Sequence, residues 1–159
     1  MVMAAEPVLK AWNKAVGRKT KALKEKKVKT LIMSPRGKVF DQKMAKDLAK
    51  KYDHVVLISG RYEGIDHRVN KALNAQEVSV GGYVLTGGEL PALSIIDAVS
   101  REIPGVLGTF ESLEDKRVTN GESYTRPEEI VFKNKKYKVP QVLLDGNHAE
   151  IEKWRSEEK

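Results

Sequence analysis

The chain has 159 residues, of which 40% are hydrophobic and none is cysteine. That length can bury a core within a single domain and that apolar content argues against global disorder, while the missing cysteines exclude disulfides, thiolate nucleophiles and cysteine-held metals. The net charge of +7 is unevenly placed, because residues 1–51 hold 15 Lys and Arg against 4 Asp and Glu and residues 52–159 hold 14 against 18; such a basic first third suits a polyanion such as RNA, or a solvated Lys-rich surface.

Ala5, Val8, Trp12 and Val16 recur on one helical face, with Pro7 tolerated in the first turn and Gly17 breaking the pattern. Arg18 to Lys29 carries seven basic residues and one acid and reads as a basic loop. Val28 to Met33 is predicted as a short strand, ended by the turn signature Ser34-Pro35-Arg36-Gly37. Asp41 is placed to cap a helix that turns Met44, Ala45, Leu48 and Tyr52 inward. His54 to Ser59 is a second, apolar strand of the kind found where both sheet faces are covered. The turn Gly60-Arg61-Tyr62-Glu63-Gly64-Ile65-Asp66 then leads into a helix with Ile65, Val69, Ala72 and Leu73 on one side.

The stretch from Val80 to Pro91 is the densest in signals. Two glycine pairs, Gly81-Gly82 and Gly87-Gly88, flank Tyr83 to Leu85, and both that segment and Glu77 to Val80 are predicted as short strands. Pro91 suits the first position of a helix that Pro104 ends, with Ala92, Ile95, Ile96, Val99 and Ile103 as its buried face. Glycines just ahead of a helix start let backbone approach a ligand and leave amide N–H groups free; the plainer alternative is a tight turn before a core helix. After Gly105 the chain turns irregular and acidic up to Tyr124-Thr125-Arg126-Pro127. Val139 to Leu144 is predicted as the last strand, and Asn147 opens a terminal helix with Ile151 and Trp154 inward.

Alternating strands and helices indicate an α/β fold with a mainly parallel sheet, helices on both faces and one domain over residues 1–159. Ligands of such sheets sit beyond the carboxyl ends of strands, so the three glycine-bearing turns are expected to converge on one crevice. No Walker-type loop is present, and no GxGxxG follows a strand. His54, His67 and His148 lack metal-ligand spacing, and Ser34 lacks the Gly-x-Ser-x-Gly context of a hydrolase nucleophile. No apolar run approaches a membrane span and no signal pattern opens the chain, so a soluble, cytoplasmic protein without membrane contact is expected.

Several motifs, in order, carry a resemblance. They are Ser34-Pro35-x-Gly37, Gly60-Arg61-Tyr62-Glu63-Gly64-Ile65-Asp66-x-Arg68-Val69, Gly81-x-Tyr83-Val84-Leu85-Thr86-Gly87-Gly88-Glu89-Leu90-Pro91-Ala92, Ile103-Pro104-Gly105-Val106-Leu107-Gly108, Tyr124-Thr125-Arg126-Pro127 and Gly146-Asn147-His148-Ala149-Glu150-Ile151-x-x-Trp154-Arg155. Over nearly the whole chain this resembles the TrmD family, bacterial tRNA guanine-N1 methyltransferases of the SPOUT superfamily. The resemblance implies a sheet that ends in a C-terminal trefoil knot, and an antiparallel homodimer whose active sites are shared between subunits. It implies methyl transfer from S-adenosylmethionine to N1 of the guanosine on the 3′ side of the tRNA anticodon.

By position, the resemblance assigns cofactor contacts to Met33, Ser34, Pro35, Gly60, Glu63, Ser79, Val80, Gly81, Tyr83, Leu85, Gly87, Gly88 and Pro91. It makes Arg101 the cation that stabilises charge on the guanine. The family's base is an aspartate in Glu-x-Asp-Ser-Phe; here the chain reads Glu111-Ser112-Leu113-Glu114-Asp115-Lys116-Arg117, so the role falls to Asp115, or to Glu114 if the loop is shifted by one. Gly82 stands where the family usually has aspartate. The family's first strand and glycine-rich loop, and its helical tRNA-binding domain after the equivalent of Arg155, have no counterpart in these residues. That leaves two alternatives to the enzyme: a cofactor-binding, dimerising knotted core that does not methylate tRNA on its own, and a plain RNA-binding module.

Overall fold

The computed structural model describes residues 1–17, 27–61, 63–106 and 122–157. The chain divides into two compact units, Met1–Val106 and Leu107–Lys159. The basic segment 18–26, Tyr62 and the acidic segment 107–121, with Glu111, Glu114 and Asp115, lie outside the described residues.

The first unit runs α1 (Ala5–Gly17), β1 (Val28–Val39), α2 (Gln42–Lys51), β2 (His54–Ile58), α3 (Arg68–Leu73), β3 (Gln76–Ser79) and α4 (Glu89–Arg101). β1 is central and pairs in parallel with β2 on one side and β3 on the other. Side chains alternate across a strand, so neighbouring residues of β1 serve opposite faces. Leu31 and Met33 pack with Leu48 of α2, Val78 of β3, and Ala92 and Ile95 of α4. Ile32, between them, packs with Val8 of α1 and Val69 of α3. Helices therefore cover both faces of the parallel sheet, which is why β2 can be apolar from Val55 to Ile58. Asp41 caps α2 by accepting from the Met44 N–H at 2.7 Å. Trp12 Nε1 donates to the buried Thr30 Oγ1 at 3.1 Å and ties α1 to β1.

Some expected elements differ. β1 does not stop at Met33. Met33 and Lys38 both register against Val78, so Ser34 to Gly37 bulges out of the ladder and the strand then resumes. Gly37 permits the return, because a Cβ there would lie 2.3 Å from the Val78 backbone nitrogen. Tyr83 to Leu85 is irregular chain rather than strand, with Val84 81% exposed. α4 begins two residues before Pro91 and buries Pro91, Ala92 and Ile95, whereas Ile96 and Ile103 are exposed. Its contacts are with the sheet and α2, and they cover a narrower stripe than the apolar pattern offers. Ala72 is exposed because the short α3 fully buries only Val69.

The second unit holds an antiparallel hairpin, β4 (Glu129–Phe132) with β5 (Lys135–Lys138), then α5 (Gln141–Leu144) and α6 (His148–Glu157). The segment expected as a last strand is thus a helical turn. Pro140 has no N–H for a ladder, and its carbonyl accepts from Leu143 N–H at 3.0 Å to start the turn. Asn147 opens α6 as expected, its side chain accepting from Ala149 N–H at 3.2 Å. Ile151 and Trp154 are half-buried, and the Trp154 ring lies 6.4 Å from that of Tyr124. Among the described residues no helix is long and apolar enough to cross a membrane.

Candidate functional site

Parallel pairing sets the carboxyl ends of β2 and β3 beside the Ser34–Gly37 bulge of β1, and that bulge and the segments that follow β2 and β3 surround a cavity of about 290 Å³. The first loop contributes Met33, Ser34 and Pro35, and the second Gly60 and Glu63. The third contributes Ser79, Val80, Tyr83, Leu85, Gly87 and Gly88, with Pro91 from the start of α4. Every residue assigned by position to a cofactor lines this cavity except Gly81.

Gly81 shapes the loop instead. Its N–H donates to Ser79 Oγ at 3.2 Å, and its carbonyl accepts from the same hydroxyl at 2.8 Å. That pair of bonds satisfies the buried Ser79 side chain and folds the chain back beside the cavity.

The three loops are held against one another at Gly88. Its N–H donates to the Gly60 carbonyl at 3.0 Å, and Arg61 bridges to Gly87 in antiparallel fashion. Arg61 also donates from Nε to Glu89 Oε1 at 2.9 Å, which fixes the second loop to the first turn of α4. A Cβ at Gly88 would stand 2.7 Å from Ser59 Cα and 2.9 Å from Met33 Cβ, so only glycine allows all three segments to meet there. At Gly87 a Cβ would meet only the end of the Glu89 side chain, and at Gly82 nothing within 4 Å.

Sequence reasoning missed five polar residues of the wall: Arg36, Arg61, Asn70, Glu77 and Thr86. Glu77 is half-buried and accepts from Asn70 Nδ2 at 2.7 Å, with His67 Nδ1 at 4.0 Å. It is the one charged side chain of β3, on the face opposite Val78, and that placement within a strand was the available signal. Glu63 is exposed and its carboxylate lies 3.2 Å from the Met1 amino group. At the foot of the second loop, Asp66 lies just ahead of α3, with its carbonyl accepting from Val69 N–H at 3.0 Å. The Arg68 guanidinium and then the Arg68 backbone N–H, both hydrogen-bonded to Asp66, bring its carboxyl from 3.8 down to about 2.

The wall thus combines apolar surface (Ile32, Met33, Val78, Pro91) with two carboxylates and two guanidiniums. Such a donor set suits a small molecule that carries both signs of charge and an apolar or aromatic part.

Arg101 is elsewhere. It is the half-buried last residue of α4, about 15 Å along the helix from Pro91 at 1.5 Å per residue, and it is not part of the cavity wall. The second unit has its own cavity of about 370 Å³, between Tyr124, Arg126, Leu143, Ile151 and Arg155, and none of the described residues assigned to the cofactor lines it.

Similar proteins give the same motifs a context. A protein of Ruminiclostridium cellulolyticum named tRNA (guanine-N(1)-)-methyltransferase is 48% identical over 99% of this chain and 65% of its own length. Proteins of the same name from Dictyoglomus turgidum and Staphylococcus carnosus are each 44% identical, over 99% and 100% of this chain and 60% and 62% of their own lengths. The chain therefore spans a little under two thirds of these relatives. The family model described as tRNA (Guanine-1)-methyltransferase TrmD matches residues 1–159, and with that match and these identities the chain belongs to the TrmD family.

Proposed function

We propose that the cavity holds S-adenosylmethionine and that the chain is the catalytic core of an enzyme methylating N1 of the guanosine on the 3′ side of the tRNA anticodon. The observation that carries this reading is the convergence of the carried-over motif residues of three loops on one cavity of mixed polarity. When bound, the cofactor supplies a methyl group made electrophilic by its sulfonium. Glu63 and Glu77 suit the positive centres of that molecule, and Arg36 suits its carboxylate. Backbone around Gly60, Leu85 and Gly87 is close enough to the cavity to read the adenosine part.

Guanine N1 carries a proton and is a poor nucleophile until that proton is removed, so a carboxylate must accept it. Asp115, or Glu114 in a loop shifted by one, takes that role, and Arg101 meets the charge that develops on O6. A distance of about 15 Å along α4 separates Arg101 from its own cavity, which favours a homodimer in which it serves the cavity of the second copy. The exposed Leu90, Leu93 and Ile96 of α4 supply an apolar surface for that contact. A single knotted domain in the SPOUT manner and a cytoplasmic location complete the reading, and both rest on family membership.

The test is methyl transfer from labelled S-adenosylmethionine to two tRNA transcripts, with guanosine or adenosine at the target position. The reading predicts transfer to the first only, and a reverse-transcription stop at that base. Cofactor binding without transfer would keep the cavity assignment and remove the catalytic one.

A further inference from the structure

The β4–β5 hairpin has a face that the proposed reaction leaves unused. Its turn residues Lys133 (φ 49°) and Asn134 (φ 59°) are both left-handed, the geometry of a two-residue type I′ connection. The register pairs Glu129 with Lys138, Ile130 with Tyr137, Val131 with Lys136 and Phe132 with Lys135. Directly paired residues share a face, and successive pairs alternate. One face therefore carries Glu129, Val131, Lys136 and Lys138, and the other carries Ile130, Phe132, Lys135 and Tyr137.

The first face largely consumes its own charge. Glu129 takes Lys136 at 2.9 Å and Lys138 at 3.4 Å, and hydrogen bonding to Lys136 above all holds its carboxyl below the usual range. The second face does not. Phe132 is 60% and Tyr137 44% exposed. Lys133 Nζ sits 5.4 Å from the Phe132 ring centroid, and Lys135 Nζ sits 5.3 Å from that of Tyr137. Among the described residues neither ammonium has a carboxylate within salt-bridge reach.

We propose that this face is a stacking platform for unpaired RNA. Two exposed rings on one ribbon take bases on their π-faces whatever the sequence, and the ammonium groups that lie over those rings in the free protein swing on their flexible stems to the phosphates between the bases. A protein partner docking on apolar surface would have to bury both ammonium groups without partners, which is unfavourable. A polyanion with flat bases answers the rings and the charges together. Only the choice of RNA as the nucleic acid rests on the reading of the chain as a tRNA methyltransferase core.

The experiment measures fluorescence anisotropy of a short labelled single-stranded RNA of mixed sequence, and of the same RNA annealed to its complement, without cofactor. Replacing Phe132→Ala and Tyr137→Ala together should weaken single-strand binding roughly 10-fold or more and leave the duplex unchanged. Phe132→Tyr should retain the parent affinity, which separates loss of stacking from loss of fold. Lys133→Gln with Lys135→Gln should lower the salt slope for single strands by about 1.4. Parent-like single-strand affinity in the double alanine variant, or an equal loss for duplex, would overturn the proposal. So would a change in oligomeric mass on mutation, which would mean that a second copy covers the face. Methyl transfer by the parent is scored separately, so failure of the enzymatic reading and failure of the platform are told apart.

Discussion

Gly88 is the residue on which the geometry of the cavity depends most. An added methyl group at this position would press on Ser59 Cα and Met33 Cβ, a backbone atom and the side-chain atom bonded directly to the backbone, neither of which can rotate away. Gly88→Ala should therefore destabilise the protein by about 1–3 kcal/mol through overpacking and weaken ligand binding by parting the loops. Gly87→Ala should be milder, since the Glu89 side chain can move, and Gly82→Asp should be accepted because its surroundings are open. Thermal unfolding of the three variants checks the order; an unperturbed Gly88→Ala protein would contradict it. Asp66 gives a pH-dependent counterpart. Its folded value of about 2 lies below the unfolded 3.8, so its contribution is present above about pH 4 and is lost as the pH falls toward 2. Asp66→Asn should be less stable than the parent above pH 4, and that gap should close between about pH 4 and pH 2. A gap that stays constant across this window would assign the difference to something other than the Asp66–Arg68 pair.

Elements were legible where their signals are local. α2 has both a capping aspartate and an apolar stripe within a few turns, and each acts without reference to distant chain. The bulge in β1 was not legible. Ser-Pro-Arg-Gly reads as a chain reversal, and only the contact of Gly37 with Val78, far along the chain, shows that the strand resumes. For α4 the period was right and the width of burial was not, because sequence shows which residues are apolar and not how much partner surface awaits them. Val139 to Leu144 is a short apolar run, for which strand and helical turn have the same pattern, and Pro140 decided it. The β4–β5 hairpin went unseen because its Lys-Asn turn has no glycine and its alternation is rich in lysine.

At the scale of the molecule, a parallel sheet brings the bulge of β1 and the ends of β2 and β3 together, and this is what turns three separate glycine-bearing motifs into one cavity. That convergence was legible from the strand–helix alternation. The Asn70–Glu77 pair in its wall was not, since it joins a helix to a strand through side chains whose meeting only the packing determines. Arg101 does not line its own cavity, so in the proposed reading the catalytic part calls on a second copy, whereas the cofactor part calls on Met1–Val106 alone. If these three loops bind S-adenosylmethionine, titration calorimetry of the chain with that molecule should give saturable binding at one site per chain, weakened by Gly88→Ala and retained in Gly82→Asp. A folded chain that gives no saturable binding, or binds equally well with Gly88→Ala, would contradict it.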